Sequence, residues 1–148
     1  NLILGTLRRF SRGFRLDRTR ILARAADAIA RFDIRPPRPE VTARTLSGGN
    51  QQKIVVAREL DRAPKVLLAA QPTRGVDIGA MAHIHEALRT ARDAGTAILL
   101  VSADLGELLA LADRIGVMYR GELVGMMPRA LATEARLGTL MVGGQVHD

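Results

Sequence analysis

The chain has no cysteine and no tryptophan, and only one tyrosine and three phenylalanines in 148 residues. Without cysteine, neither disulfides nor thiolate metal sites can hold it together, and the redox compartment is left open. Aromatics make up 3% against 47% hydrophobic residues, so any core must be built from Leu, Ile, Val, Ala and Met. No apolar run reaches the roughly 18 residues of a membrane-spanning helix and no signal peptide is visible, which makes a cytosolic protein the default expectation. Internal repeats and low-complexity tracts are absent too. The length suffices for one domain with a real core. The chain opens on Asn1 rather than Met, and residues 1–7 read as the end of something begun earlier, so a piece of a longer polypeptide is expected.

Lysine is also scarce, with Lys53 and Lys65 against twenty arginines. The arginines are unevenly placed. Residues 1–40 hold ten of them against Asp17, Asp27, Asp33 and Glu40, a surplus of six out of a formal net charge of +7. Such a segment reads as a solvated helical surface or as a face turned toward a membrane or partner. No aromatics interleave with the arginines to stack on bases, which argues against nucleic acid.

Along the chain, Ile21, Leu22, Ala25, Ala28 and Ile29 recur at helical spacing within an amphipathic helix over residues 19–32. Arg35-Pro36-Pro37-Arg38-Pro39 breaks it and should be extended loop. A helix is expected over 50–61, a buried strand over 65–70, a turn-rich loop over 71–77 and a long helix over 78–94 stopped by Gly95. A second buried strand follows over 96–101, then a helix over 104–112 with Asp104 as N-cap. A hairpin over 115–126 and a closing helix over 133–142, frayed by Gly143-Gly144, complete the chain. Alternating strands and helices predict an α/β fold with a largely parallel sheet, whose functional loops lie beyond the strand C-termini.

The most informative stretch is Leu46-Ser47-Gly48-Gly49-Asn50-Gln51-Gln52-Lys53, a polar turn opening into Ile54-Val55-Val56-Ala57-Arg58-Glu59-Leu60. Physically, it places a serine and bare backbone amides at a helix N-terminus, where unsatisfied N–H groups and a partial positive charge suit a phosphate. Ser-Gly-Gly alone would read as an N-cap and a turn. The octapeptide as a whole resembles the signature motif of ATP-binding cassette (ABC) ATPases, in the form found in importers of simple sugars and nucleosides.

That resemblance extends over nearly the whole chain. Lys65 and the residues up to Ala80, with Gln71-Pro72-Thr73-Arg74-Gly75-Val76-Asp77, look like the Walker B strand and D-loop. Val101-Ser102-Ala103-Asp104-Leu105 looks like the switch region. The implied fold is a partial P-loop NTPase cassette, with residues 1–45 as part of a helical subdomain and 46–148 as signature helix and C-terminal core. The family's Gly-x-x-x-x-Gly-Lys-Ser/Thr phosphate loop is nowhere in the 148 residues. Where a working cassette has Asp-Glu and a switch His, this chain has Ala70, Gln71 and Ala103. A methyl group cannot support a metal shell, and an amide has no carboxylate to take a proton.

The resemblance therefore implies a chain without an intact catalytic set or metal site of its own. It implies a pair of cassettes facing head to tail, in one polypeptide or as a dimer, in which Ser47, Gly48 and Gly49, with Asn50 and Gln51, serve an ATP–Mg²⁺ held mainly by the partner cassette and Asp77 reaches across as the D-loop acid. It further implies permease subunits as partners, a solute-binding protein acting indirectly, and a peripheral place on the cytoplasmic face of the membrane. The full-length protein would be a transport ATPase and this piece alone inactive. The alternative is a degenerate cassette that acts as a non-catalytic interaction or regulatory module. His83 and His85, at i and i+2 of a helix, cannot share a metal and read as surface or packing residues. His147 falls in a terminal tail. Asp104 and Glu107 read as an acidic first turn, and Met126, Met127 and Met141 as packing residues.

Overall fold

A computed structural model describes residues 1–144; His147 lies outside the described residues. The order of elements is β1 (Ser11–Arg12), β2 (Arg15–Leu16), α1 (Arg18–Arg31), α2 (Gly48–Leu60), β3 (Val66–Ala70), α3 (Ile78–Asp93), β4 (Ala97–Val101), α4 (Leu105–Leu111), β5 (Arg114–Tyr119), β6 (Glu122–Pro128) and α5 (Glu134–Met141). Short 3₁₀ turns occupy Leu7–Phe10, Ala43–Thr45 and Arg129–Leu131. The chain divides into two compact units, Asn1–Leu99 and Leu100–Asp148. Residues 1–45 thus share a unit with the signature stretch.

In the first unit, Asp17 caps α1 by accepting the Arg20 amide at 3.1 Å. The buried stripe of α1 is Ala25, Ala28 and Ile29, with Ile21 and Leu22 only half-buried. The helix closes on a Schellman turn. The amide of Ile34 donates to the Ile29 carbonyl and that of Asp33 to the Ala30 carbonyl, with Asp33 left-handed at φ 47°. Ile29 and Ile34 are both buried beneath it. Arg24 pairs with Asp61 at the end of α2, its Nε donating at 3.0 Å, and so ties the two helices together. Residues 35–39 are not extended throughout, because the Arg38 amide turns back to the Pro36 carbonyl at 2.8 Å. Helix α2 begins at Gly48, two residues before the expected start, since Ser47 takes the cap position.

Strands β3 and β4 pair in a small parallel sheet, joined by the crossover helix α3. They are less buried than their apolar sequences predict. Val66 is 70% exposed, Leu68 66% and Leu99 62%, whereas Ala69 is buried. A parallel strand reads as a continuous apolar run because both of its faces are normally covered. In this chain one face of each strand carries its apolar side chains uncovered.

The second unit is built on the antiparallel hairpin β5–β6, with Ile115 facing Met127 and Tyr119 facing Glu122. Its turn uses Arg120 and Gly121, at φ 49° and 87°, the positive-φ pair that a two-residue hairpin favours. Ile115, Val117, Ala132, Leu137 and Leu140 form the core, with Leu105, Leu108, Leu109, Ala112 and Met127 packed against it. Met127 therefore packs as expected, whereas Met126 and Met141 are exposed. They fall on the outward side of a strand and a helix whose other sides meet the core. Helix α5 does not fray at Gly143-Gly144. Gly143 is left-handed at φ 82°, and the Gly144 amide donates to the Thr139 carbonyl at 2.9 Å, closing a Schellman cap.

Candidate functional site

The N-terminus of α2 is organised by Ser47. Its backbone is extended (φ −59°, ψ 157°), and its Oγ accepts from the Asn50 amide at 3.4 Å and from Asn50 Nδ2 at 2.9 Å. A 13-residue helix starting here leaves first-turn amides without an intrahelical partner, a natural seat for an anion. Ser47 and Gly48 are exposed and Gly49 is buried. A Cβ on Gly48 would meet only the Gly75 carbonyl, at 3.7 Å, whereas one on Gly49 would lie 2.9 Å from both Ala80 Cβ and Asp77 Oδ2. The two glycines thus serve different ends. Gly48 leaves backbone open to the outside, and Gly49 lets α2 close against the start of α3. Gln51 donates from Nε2 to the Leu46 carbonyl at 2.9 Å, bracing the turn.

Behind this turn lies a polar cluster. Asn50 Oδ1 accepts the Arg35 amide at 2.7 Å. Lys53 is only 6% exposed, and its Nζ donates to the Asp33 carbonyl at 2.8 Å with Asp33 Oδ2 at 3.5 Å. His83 Nε2 of α3 is 3.3 Å from the same Oδ2, and Arg35 pairs with Oδ1 at 2.7 Å. The hydrogen bond from Arg35, supported by its charge and by Lys53, holds the Asp33 carboxyl below the usual carboxylate range. His83 accordingly faces a carboxylate on another element, and His85 is half-buried.

The remaining candidates take up separate positions. Ala70 ends β3 exposed, and Gln71 adopts φ 51°, its carbonyl accepting the Arg74 amide at 3.2 Å. Pro72 and Thr73 are buried in the following turn. Asp77 caps α3, its Oδ1 accepting the Ala80 amide at 2.8 Å, while its Oδ2 lies over Gly49. In the second unit, Ala103 is exposed and Asp104 caps α4 through the Glu107 amide at 3.2 Å. Glu107 lies in the first turn of α4, as expected, and is buried there. Among the described residues, no group of three or more His, Cys, Asp or Glu could hold a metal ion, and no helix is long and apolar enough to cross a membrane.

The first unit therefore gathers Ser47, Gly48, Gly49, Asn50, Gln51 and Asp77 at the meeting of α2 and α3. Sequence reasoning missed Asp33 and Lys53. Lys53 carried a signal, being one of two lysines in an arginine-rich chain and lying inside the motif. Asp33 carried none, because only the Schellman turn brings it to the signature helix.

No protein-family model matches the chain. It is 44% identical over 133 residues to the nucleoside import ATP-binding protein NupA of Lactococcus lactis subsp. cremoris, covering 90% of this chain and 26% of that protein. It is 47% identical over 120 residues to the guanosine import ATP-binding protein NupO of Bacillus subtilis, covering 81% and 24%. A ribose import ATP-binding protein, RbsA of Bacillus licheniformis, is 45% identical over 117 residues, covering 79% and 24%. The chain thus spans about a quarter of the length of these curated relatives. Its fold matches the dimeric ATP-binding cassette MJ0796 in a post-hydrolysis state with ADP and Pi, with a TM-score of 0.68 and 24% identity over 83% of this chain and 53% of that one. A second dimeric MJ0796 structure gives 0.67. Over most of its length the chain is thus similar to the ATP-binding proteins of nucleoside and simple-sugar importers, and its fold is that of an ATP-binding cassette.

Proposed function

We propose that the chain is the signature-bearing part of the ATP-binding subunit of an importer for nucleosides or simple sugars, and that it serves an ATP held by a partner cassette. The observation that carries this is the α2 N-terminus, where an exposed serine hydroxyl and an open Gly48 backbone stand at the positive end of a 13-residue helix. Hydroxyl and amide donors to an anionic phosphate are roughly twice as strong as neutral hydrogen bonds. Fixed in place beforehand, they stabilise charge as it develops. Ser47, Gly48 and Gly49 supply these donors, with Asn50 and Gln51 alongside. Asp77, next to Gly49, faces the partner as the D-loop acid. Bound ATP supplies the phosphoanhydride whose hydrolysis drives transport.

The chain's own positions do not suit Mg²⁺. Ala70 offers a methyl group and Gln71 a neutral amide where carboxylates would serve, so the metal that accompanies the ATP served by Ser47 is held by the partner cassette and this chain by itself turns over no ATP. Permease subunits, and indirectly a solute-binding protein, complete the assembly at the cytoplasmic face of the membrane. Gly48→Asp in the full-length protein puts a like charge against the phosphate, and ATP turnover should fall by about 10²-fold or more, the scale of losing one preorganised donor. Unchanged turnover would refute the role in trans.

A second reading, a regulatory module without turnover, draws on the replaced positions Ala70, Gln71 and Ala103. Ala70→Asp with Gln71→Glu separates the two. Under the first reading the full-length protein already turns over ATP without them; under the second it does not.

A further inference from the structure

The signature asparagine is bonded at both ends within its own chain. Asn50 Oδ1 accepts the Arg35 amide at 2.7 Å, which fixes the amide's orientation and turns Nδ2 onto Ser47 Oγ at 2.9 Å. The Asn50 backbone amide points to the same Oγ at 3.4 Å. A serine oxygen has two lone pairs and one hydrogen. Two donors from Asn50 occupy the lone pairs, so the Ser47 proton is left to donate outward, into the exposed space before the helix. The Arg35 end of the bridge is itself anchored. Residues 33–35 leave the Schellman cap of α1, Lys53 donates from a buried Nζ to the Asp33 carbonyl at 2.8 Å, and Arg35 pairs with the Asp33 carboxylate.

We propose that Asn50 is a positioning residue, which holds the Ser47 hydroxyl as an outward donor and links its orientation to the 33–35 turn at the end of α1. This rests on the reading that Ser47 serves a nucleotide phosphate. It assigns Asn50 an action through Ser47 rather than a direct contact with ligand. The same bridge makes the α1 cap and the phosphate-facing hydroxyl one mechanical piece, so a displacement of the cap is felt at Ser47.

The test uses the full-length protein with its partner cassette, measuring kcat and KM for ATP in Ser47→Ala, Asn50→Ala and the double variant. Ser47→Ala should lower kcat by about 10²-fold, as loss of a preorganised donor does. Asn50→Ala should lower it by about tenfold through misorientation. In the Ser47→Ala background, Asn50→Ala should have no further effect, because its route runs through the hydroxyl. A second variant guards against a folding defect. Asn50→Asp keeps an acceptor for the Arg35 amide but removes the Nδ2 donor and draws the Ser47 proton inward. Hydrogen exchange at Arg35 should stay as slow as in the parent while kcat still falls. The proposal is overturned if the single effects multiply in the double variant, or if Asn50→Ala or Asn50→Asp keeps parental turnover while Ser47→Ala loses it. If Ser47→Ala itself leaves turnover unchanged, the nucleotide reading fails and this inference falls with it.

Discussion

Replacing Gly49 by alanine sets two effects of known size against each other. Alanine is the better helix former, by up to about 1 kcal/mol in a helix interior and less in a first turn. Against this, the new methyl would sit 2.9 Å from Ala80 Cβ and 2.9 Å from Asp77 Oδ2, closer than carbon and oxygen tolerate. Overfilling a closed contact costs about 1–3 kcal/mol. The relief open to it is to move Asp77, which would loosen the cap on α3 and forfeit about 1 kcal/mol. Repulsion therefore wins, and Gly49→Ala should destabilise the chain by about 1–3 kcal/mol. Gly48→Ala is the internal control. Its methyl meets only the Gly75 carbonyl, at an ordinary 3.7 Å, so the propensity term acts alone and the variant should be neutral or slightly stabilised. The two melting temperatures, followed by far-UV circular dichroism, should differ by roughly 6 °C at about 3 °C per kcal/mol for a chain of this size. Adding Asp77→Ala should cost less in the Gly49→Ala background than alone, since the carboxylate is then partly displaced already. Equal melting of the two alanine variants would refute the claim that Gly49 exists for α2–α3 packing.

Acid should weaken the first unit in a defined direction. Asp33 is held below the ordinary carboxylate range by its hydrogen bond from Arg35, and Glu59 by its hydrogen bond from Arg58 with Arg62 assisting. Groups depressed on folding lend stability above their unfolded values of about 4, and that stability is lost as pH falls through the folded values. Urea midpoints should drop between pH 5 and pH 3, and Arg35→Gln should flatten that drop; an equally steep acid limb in the variant would contradict the assignment. The uncovered strand faces should also make the isolated chain associate. Leu68→Lys with Leu99→Lys should lower the apparent mass in sedimentation, and no change would place the association elsewhere. Asp104→Ala should cost about 1 kcal/mol as the lost cap of α4, read from thermal melts, and a shift within error would deny the cap any weight.

Much of the local structure is written in short-range chemistry. Ser47, Asp77, Asp104 and Thr133 all cap the helices that follow them, because a short side chain with an oxygen can bond the amide two or three residues on whatever lies beyond. The hairpin was visible in Arg120-Gly121 between apolar runs for the same reason. The motif residues and the positions Ala70, Gln71 and Ala103 were legible only through the family resemblance, after which side-chain chemistry says what a methyl group or an amide cannot do there. Helix ends were less legible. Gly143-Gly144 looked like a fraying tail, and only the backbone bonds to Thr139 and Leu140 show a closed cap.

The sequence by itself determined the succession of elements from α1 onward and the capping chemistry at Ser47, Asp77 and Asp104, since these depend on neighbours a few residues apart. Tertiary structure decided the rest. It made Gly49 a packing glycine and Gly48 an open one, and left Val66, Leu68 and Leu99 uncovered where their apolar character predicted burial. It also brought Asp33 and Arg35 to Lys53 and Asn50. Such contacts join residues up to 20 positions apart, and no local pattern can encode which of many polar side chains the folded chain will set face to face.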